Sequence, residues 1–159
     1  MKILFSLLTL ILITKECNDS KNNSLTEESQ NASKIEQNDD MLITYTIQSR
    51  GLFEEVVIAN NTIKTKNGRD ASNESTEALD SKDWEALQKE ISTVNLQKLP
   101  ELKAPTDKRL YDGAAMATLK INKGGKEITT PTFDHGYPPK AIESLVNKVL
   151  SLKESASKD

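Results

Sequence analysis

What most constrains this chain is a change of hydrophobic period that it makes twice. Ile43, Tyr45 and Ile47 alternate with Thr44, Thr46 and Gln48, and Val56 and Ile58 keep the same two-residue step. A period of two is that of a strand with one buried face. From Trp84 the apolar positions recur instead at three and four residues, through Leu87, Ile91 and Val94, which is the period of an amphipathic helix. The order then repeats. Ala117, Leu119 and Ile121 alternate, and Ile142, Leu145, Val146, Val149 and Leu152 form one broad helical face.

The turn residues decide how the strands are joined. Asn60-Asn61 and Gly124-Gly125 stand between alternating runs, and both pairs tolerate the positive φ that two-residue hairpins require. Gly51 ends the first run, Asn67-Gly68 marks a further turn, and Ser75 to Leu79 reads as a short strand. Tight hairpins leave no room for the long crossovers that parallel strands need. The expected architecture is therefore α+β: an antiparallel sheet of about five strands, two hairpins plus a short strand, with two helices packed on one face.

Local signals place the element ends. Asp80 or Ser81 offers an N-cap for the first helix, and Asp83 puts a carboxylate in its positive first turn. Pro138 and Pro139 suit the first turn of the second helix, and the polar tail from Lys153 is expected to fray. Pro131 has no amide proton, so the strand through Ile128, Thr130 and Thr132 ends there, bulges or lies at an edge. Leu96, Leu99 and Leu102 stand among prolines and predict a turn of helix, then a long ordered loop.

The first forty residues follow different rules. "MKILFSLLTLILITKECNDSK" carries Lys2, an apolar run from Ile3 to Ile13 and a polar break. That run is shorter than the roughly 20 residues needed to cross a bilayer and has the length of a signal-peptide core. Cys17 stands where a bacterial lipoprotein is cut and acylated, although Glu16 replaces the small residue usual before that cysteine. The expected organisation is a lipoprotein-type signal at 1–16 and a lipidated Cys17 heading a polar tether over 17–40. A single domain over 41–152 and a polar tail over 153–159 complete it. The tether, with only Leu25, Ala32 and Ile35 apolar after Cys17, lacks the surface to offset the entropy of ordering.

Charge and cysteine usage exclude several functions. A formal net charge of -3 argues against a nucleic-acid partner, because phosphate binding calls for a basic surface. One cysteine allows no internal disulfide, and one histidine with one cysteine cannot supply a structural zinc site. No cofactor or metal is expected. A carboxylate site for calcium at Asp107, Asp112 and Asp134 lacks the twelve-residue loop pattern.

Three stretches, "ITYTIQSRG", "LPELKAPTDKRLYDGAAMATLKI" and "TFDHGYPPKAIESLVNKVLS", taken with the leader, resemble a group of small uncharacterised lipoproteins of the Bacteroidota, of flavobacterial type. The resemblance spans about residues 42–152. It implies attachment to a membrane of the cell envelope through the N-terminal lipid and brings no activity with it. The expected location is the outer membrane, facing periplasm or surface, with an envelope protein as partner.

The candidate site pairs "KRLYDG" at 108–113 with "FDHG" at 133–136. One precedes the first strand of the second hairpin and the other follows the return strand, so both belong at the same hairpin end. Arg109, Tyr111, Asp112, Asp134 and His135 are expected to meet there as an interaction or structural corner. The alternative is a small envelope hydrolase in which Asp134 or Asp112 orients His135 as a general base. No nucleophile elbow, HExxH motif or phosphate loop accompanies it, so a non-enzymatic binding module is the preferred expectation.

Overall fold

The structure is a computed structural model that describes residues 41–70 and 73–157. The expected signal, Cys17 and the tether lie outside the described residues. A meander of β1 (Met41–Ser49), β2 (Leu52–Ala59), β3 (Thr62–Asn67) and β4 (Glu74–Ala78) leads into α1 (Ser81–Thr93). Two 3-10 segments, Leu96–Glu101 and Lys108–Tyr111, precede β5 (Met116–Lys123), β6 (Lys126–Thr129) and β7 (Phe133–Asp134). A 3-10 turn at Lys140–Ile142 then opens into α2 (Glu143–Ala156).

All pairings are antiparallel, in the order β4-β3-β2-β1-β5-β6, with β7 also on β5. The α+β expectation holds, with seven strands in place of about five. Two causes add strands. β1 and β2 close a tight hairpin through Arg50-Gly51, and the last return strand is broken into β6 and β7. The two hairpin turns read from sequence form as expected: Asn60 and Asn61 adopt φ of 48° and 58°, and Gly124 and Gly125 of 57° and 76°.

One face of the sheet makes the core. Ile43, Tyr45, Ile47, Val56, Ile58, Ile63, Ala117, Leu119 and Ile121 are buried together with Leu87 and Ile91 of α1 and Leu145, Val146, Val149 and Leu152 of α2. Each fully buried aliphatic side chain contributes roughly 1.5–3 kcal/mol. The α1 cap is Asp80, whose carboxylate accepts the Lys82 amide at 2.7 Å. Lys148 of α2 reaches Asp83 of α1 at 2.7 Å and ties the two helices together. The second helix differs at both ends from its sequence reading. Pro139 caps a 3-10 turn and not α2 itself, and α2 runs through Ala156, past the end of the apolar pattern at Leu152.

The break between β6 and β7 is the detail that positions everything at the site. Lys120 faces Thr129 and Ala117 faces Phe133. Two residues separate the β5 partners, but three, Thr130, Pro131 and Thr132, separate theirs. The return strand therefore carries one extra residue, a bulge. Thr130 holds it closed: its amide donates to Leu119 O at 2.9 Å, and its hydroxyl accepts the Leu119 amide at 3.1 Å. The three outcomes open to Pro131 occur together: β6 ends at Thr129, the return strand lies at the edge of the sheet, and the segment between β6 and β7 bulges. An added residue reverses which face each later side chain meets, so Phe133 points into the core beside Ala117 and Asp134 points to the opposite face.

Candidate functional site

Asp134 is buried to 0% exposure, and it lies on the sheet face away from the helices. What covers it is the segment before β5. One carboxylate oxygen accepts the Thr106 hydroxyl at 2.5 Å and the Lys108 amide at 2.7 Å. The other accepts the Arg109 amide at 2.9 Å and Arg109 Nη1 at 3.1 Å. Burial by itself would raise the pKa of Asp134, but these donors outweigh it and lower the group from 3.8 to about 2. The carboxylate is therefore ionised and fully engaged at neutral pH, and it pins residues 106–109 to β7.

Arg109 is held as tightly. Its Nη1 also donates to Thr106 O at 2.7 Å, and its Nη2 pairs with Asp107 at 3.1 Å. The 3-10 turn ends at Asp112, in the left-handed conformation at φ 58°, and the Tyr111 ring lies so close over Gly113 that a Cβ there would meet it at 2.7 Å. Leu110 and Tyr111 stay 74% and 71% exposed. Tyr137, which follows the Gly136 turn, is half exposed and carries the Lys108 ammonium 4.0 Å from its ring centre. Contact with Tyr137 raises the Lys108 pKa, against a smaller desolvation effect, with Tyr111 adding to the rise.

His135 takes the other face. Its amide continues the ladder to Ala115 O at 2.8 Å, and its ring turns toward the helices, where Nδ1 meets the Tyr45 hydroxyl at 3.1 Å. Tyr45 is buried on β1 and packs on both Phe133 and His135, with centroids 6.3 Å and 6.1 Å away. Burial raises the Tyr45 pKa strongly, so its proton stays on and needs an acceptor. Nδ1 is the acceptor it has, which assigns the neutral ring the Nε2–H tautomer. Burial also lowers the His135 pKa; Glu54 opposes this and Lys153 adds to it. Glu54 and Lys153 form an ion pair between β2 and α2, and Lys153 joins Leu150, Glu154, Ser157 and His135 around a concavity of about 390 Å³.

The five residues expected to meet thus divide into two groups. Arg109 and Asp134 are in direct contact, with Tyr111 on the same 3-10 turn and Asp112 at its end, 3.9 Å from Arg50. His135 is absent from this group because it neighbours Asp134 along a strand, where successive side chains point to opposite faces. Sequence reading missed its real neighbours, Tyr45, Glu54 and Lys153. Tyr45 carried one signal, a phenol in the middle of a buried alternation, which needs a hydrogen-bond partner. Among the described residues no group of three His, Cys, Asp or Glu side chains is placed to hold a metal. Nor is any helix among them long and apolar enough to cross a membrane. No family model matches the chain, and no curated protein matches it.

Proposed function

We propose that this chain is a lipid-anchored protein of the cell envelope whose domain is a non-enzymatic interaction module, docking an envelope protein through the corner built on Asp134. The observation that carries the docking surface is a concentration of exposed apolar area on a rigid support. Among the described residues five large hydrophobic side chains are left exposed, Leu42, Leu52, Leu110, Tyr111 and Tyr137, and three of them gather at this corner. Aromatic residues presented on a pre-ordered loop are the usual anchors of protein interfaces, because little entropy is lost on binding. The anchor itself is supported by the leader, by Cys17 and by the resemblance to envelope lipoproteins.

The alternative, a hydrolase using His135 with Asp134 or Asp112, meets two physical obstacles. A general base needs a free lone pair toward substrate and an acceptor behind it. Here Tyr45 donates to Nδ1, so the outward nitrogen carries the proton, and Asp134 serves donors on the opposite face. His135 in this arrangement is a hydrogen-bond donor.

Two experiments test the reading. Leu110→Ser with Tyr111→Ser in the producing cell, followed by cross-linking and purification, should remove at least one partner recovered with the unaltered chain; an identical set of partners would overturn the interface. Metabolic labelling with a radioactive fatty acid should mark the protein and fail with Cys17→Ser. Absence of label on the unaltered chain would overturn the anchor.

A further inference from the structure

Beside the Leu110–Tyr111 surface, the β1–β2 turn, the end of β3 and the 108–113 segment enclose a concavity of about 340 Å³ into which three arginines, Arg50, Arg69 and Arg109, converge. We propose that this concavity binds an oxyanion, a phosphate or carboxylate group. The proposal deepens the docking reading by giving the chemistry of what the partner presents, and it rests on that reading only for the identity of the partner.

The charges are distributed as such a site requires. Asp112 is the one carboxylate among the described residues of the lining, in a protein whose overall charge is -3. Arg109 is the fixed element, 12% exposed and clamped by Asp134 and Asp107. Arg50 is 92% exposed and meets Asp112, itself 71% exposed, only at 3.9 Å. An exposed pair at that distance contributes little and is readily exchanged for a better acceptor. Arg69 has no ion pair among the described residues and lies over the Phe53 ring, 5.3 Å from its centre. That cation–π contact occupies the ring face and consumes no N–H donor of the guanidinium. Gln48 and Ser49 add neutral donors. Guanidinium forks match the paired oxygens of carboxylate and phosphate in a way single ammonium groups do not, and here Arg69, without an ion pair among the described residues, and Arg50, weakly paired with Asp112, line the same concavity as the locked Arg109. Binding moves Asp112 off Arg50, and no covalent step is involved.

The test uses the full chain, labelled with nitrogen-15 in a non-ionic detergent at constant ionic strength. Inorganic phosphate and citrate are titrated separately while the arginine Nε–H signals are followed. A saturable shift of Arg50 and Arg69 with either anion is expected, weakened at least about tenfold in Arg69→Gln and unchanged in Lys89→Gln on α1. Vesicles of phosphatidylglycerol and of phosphatidylcholine then separate a lipid head group from a free anion: saturation by the first alone, lost in Arg69→Gln, assigns the oxyanion to lipid. No saturable shift with either small anion, equal affinity in Arg69→Gln, or a response to vesicles without one to free anions would overturn the proposal. Loss of partners in the Leu110 and Tyr111 variants with no anion shift would leave the docking surface standing and remove the oxyanion site alone.

Discussion

Asp134 and His135 are consecutive in the chain and live in different chemistry. Asp134 lies beneath a 3-10 turn on the outer face, a buried anion satisfied by four donors. His135 lies at the end of the helix-covered face, a neutral ring hydrogen-bonded to a buried tyrosine and bordered by an ion pair. The difference comes from one inserted residue. Without the bulge at Thr130–Thr132, the alternation running from Ile128 would place Asp134 against the aliphatic core and His135 under Arg109. Adjacency in sequence is thus no guide to a shared site within a strand, and a backbone irregularity two residues away decides which side chain is structural and which borders a pocket.

The strongest way to break the contrast is to shift the return strand by one position. Removal of Pro131 alone leaves two residues between Thr129 and Phe133, matching β5, and keeps Phe133 opposite Ala117; removal of Pro131 and Thr132 together exchanges the two faces, driving Phe133 outward and an ionised carboxylate into the core. Burial of an unpaired charge is far costlier than any single contact here, so the cooperative thermal transition of the double deletion should disappear from circular dichroism. A double deletion that melts like the unaltered chain would contradict the role given to the register.

Next in size is Asp134→Ala, which leaves Thr106, the two amides and the Arg109 guanidinium without their acceptor. A fall in Tm of roughly 10 °C is expected by calorimetry, with fast proteolysis within 102–115. The sign of the pH dependence follows from a depressed carboxyl. Its stabilisation is complete above the ordinary value of 3.8 and is lost as pH falls through the folded value of about 2. Acid melts of the unaltered chain should therefore steepen in that window, and those of Asp134→Ala should steepen less.

On the His135 side the effects are smaller. Tyr45→Phe removes one hydrogen bond, worth about 1 kcal/mol by urea titration. The burial that lowers the His135 pKa remains in this variant, so the imidazole titration should stay below its ordinary value. Because the folded imidazole pKa lies below 6.5, its contribution is complete above 6.5 and is lost as pH falls through the folded value. Smallest of all is Glu54→Gln, where a partly exposed pair is lost for about 0.5 kcal/mol or less. Glu54 raises the His135 pKa, so its neutralisation should lower the titration midpoint further; a rise would place the ring away from that pair.

The sequence made the regular parts of the fold legible and the irregular part ambiguous. Alternation at Ile43–Ile47 and Ala117–Ile121 identified the buried face, because a side chain's direction in a strand depends only on counting by two. The Asn60-Asn61 and Gly124-Gly125 turns were legible for a similar local reason, as was the α1 cap at Asp80. The corner was half legible. That 108–113 and 133–136 share a hairpin end follows from antiparallel geometry, and Asp134 and Arg109 do meet. What Pro131 would do was not legible, since ending, bulging and lying at an edge satisfy a missing donor equally well. The bulge depends on the Thr130 hydroxyl finding Leu119 across the sheet, a tertiary contact with no local signature. Arg50 and Arg69 were not legible as neighbours because they stand at turn ends 19 residues apart, and β2 and β3 bring them together.

The division between the two faces is most directly tested by the imidazole of His135, followed by nitrogen-15 and proton shifts across pH in the unaltered chain and in Asp134→Asn. A neutral Nε2–H tautomer, a midpoint below 6.5 and the same midpoint in both proteins are expected. An Nδ1–H tautomer, or a fall of about one unit when the Asp134 charge is removed, would put the carboxylate and the ring in one site and contradict that division.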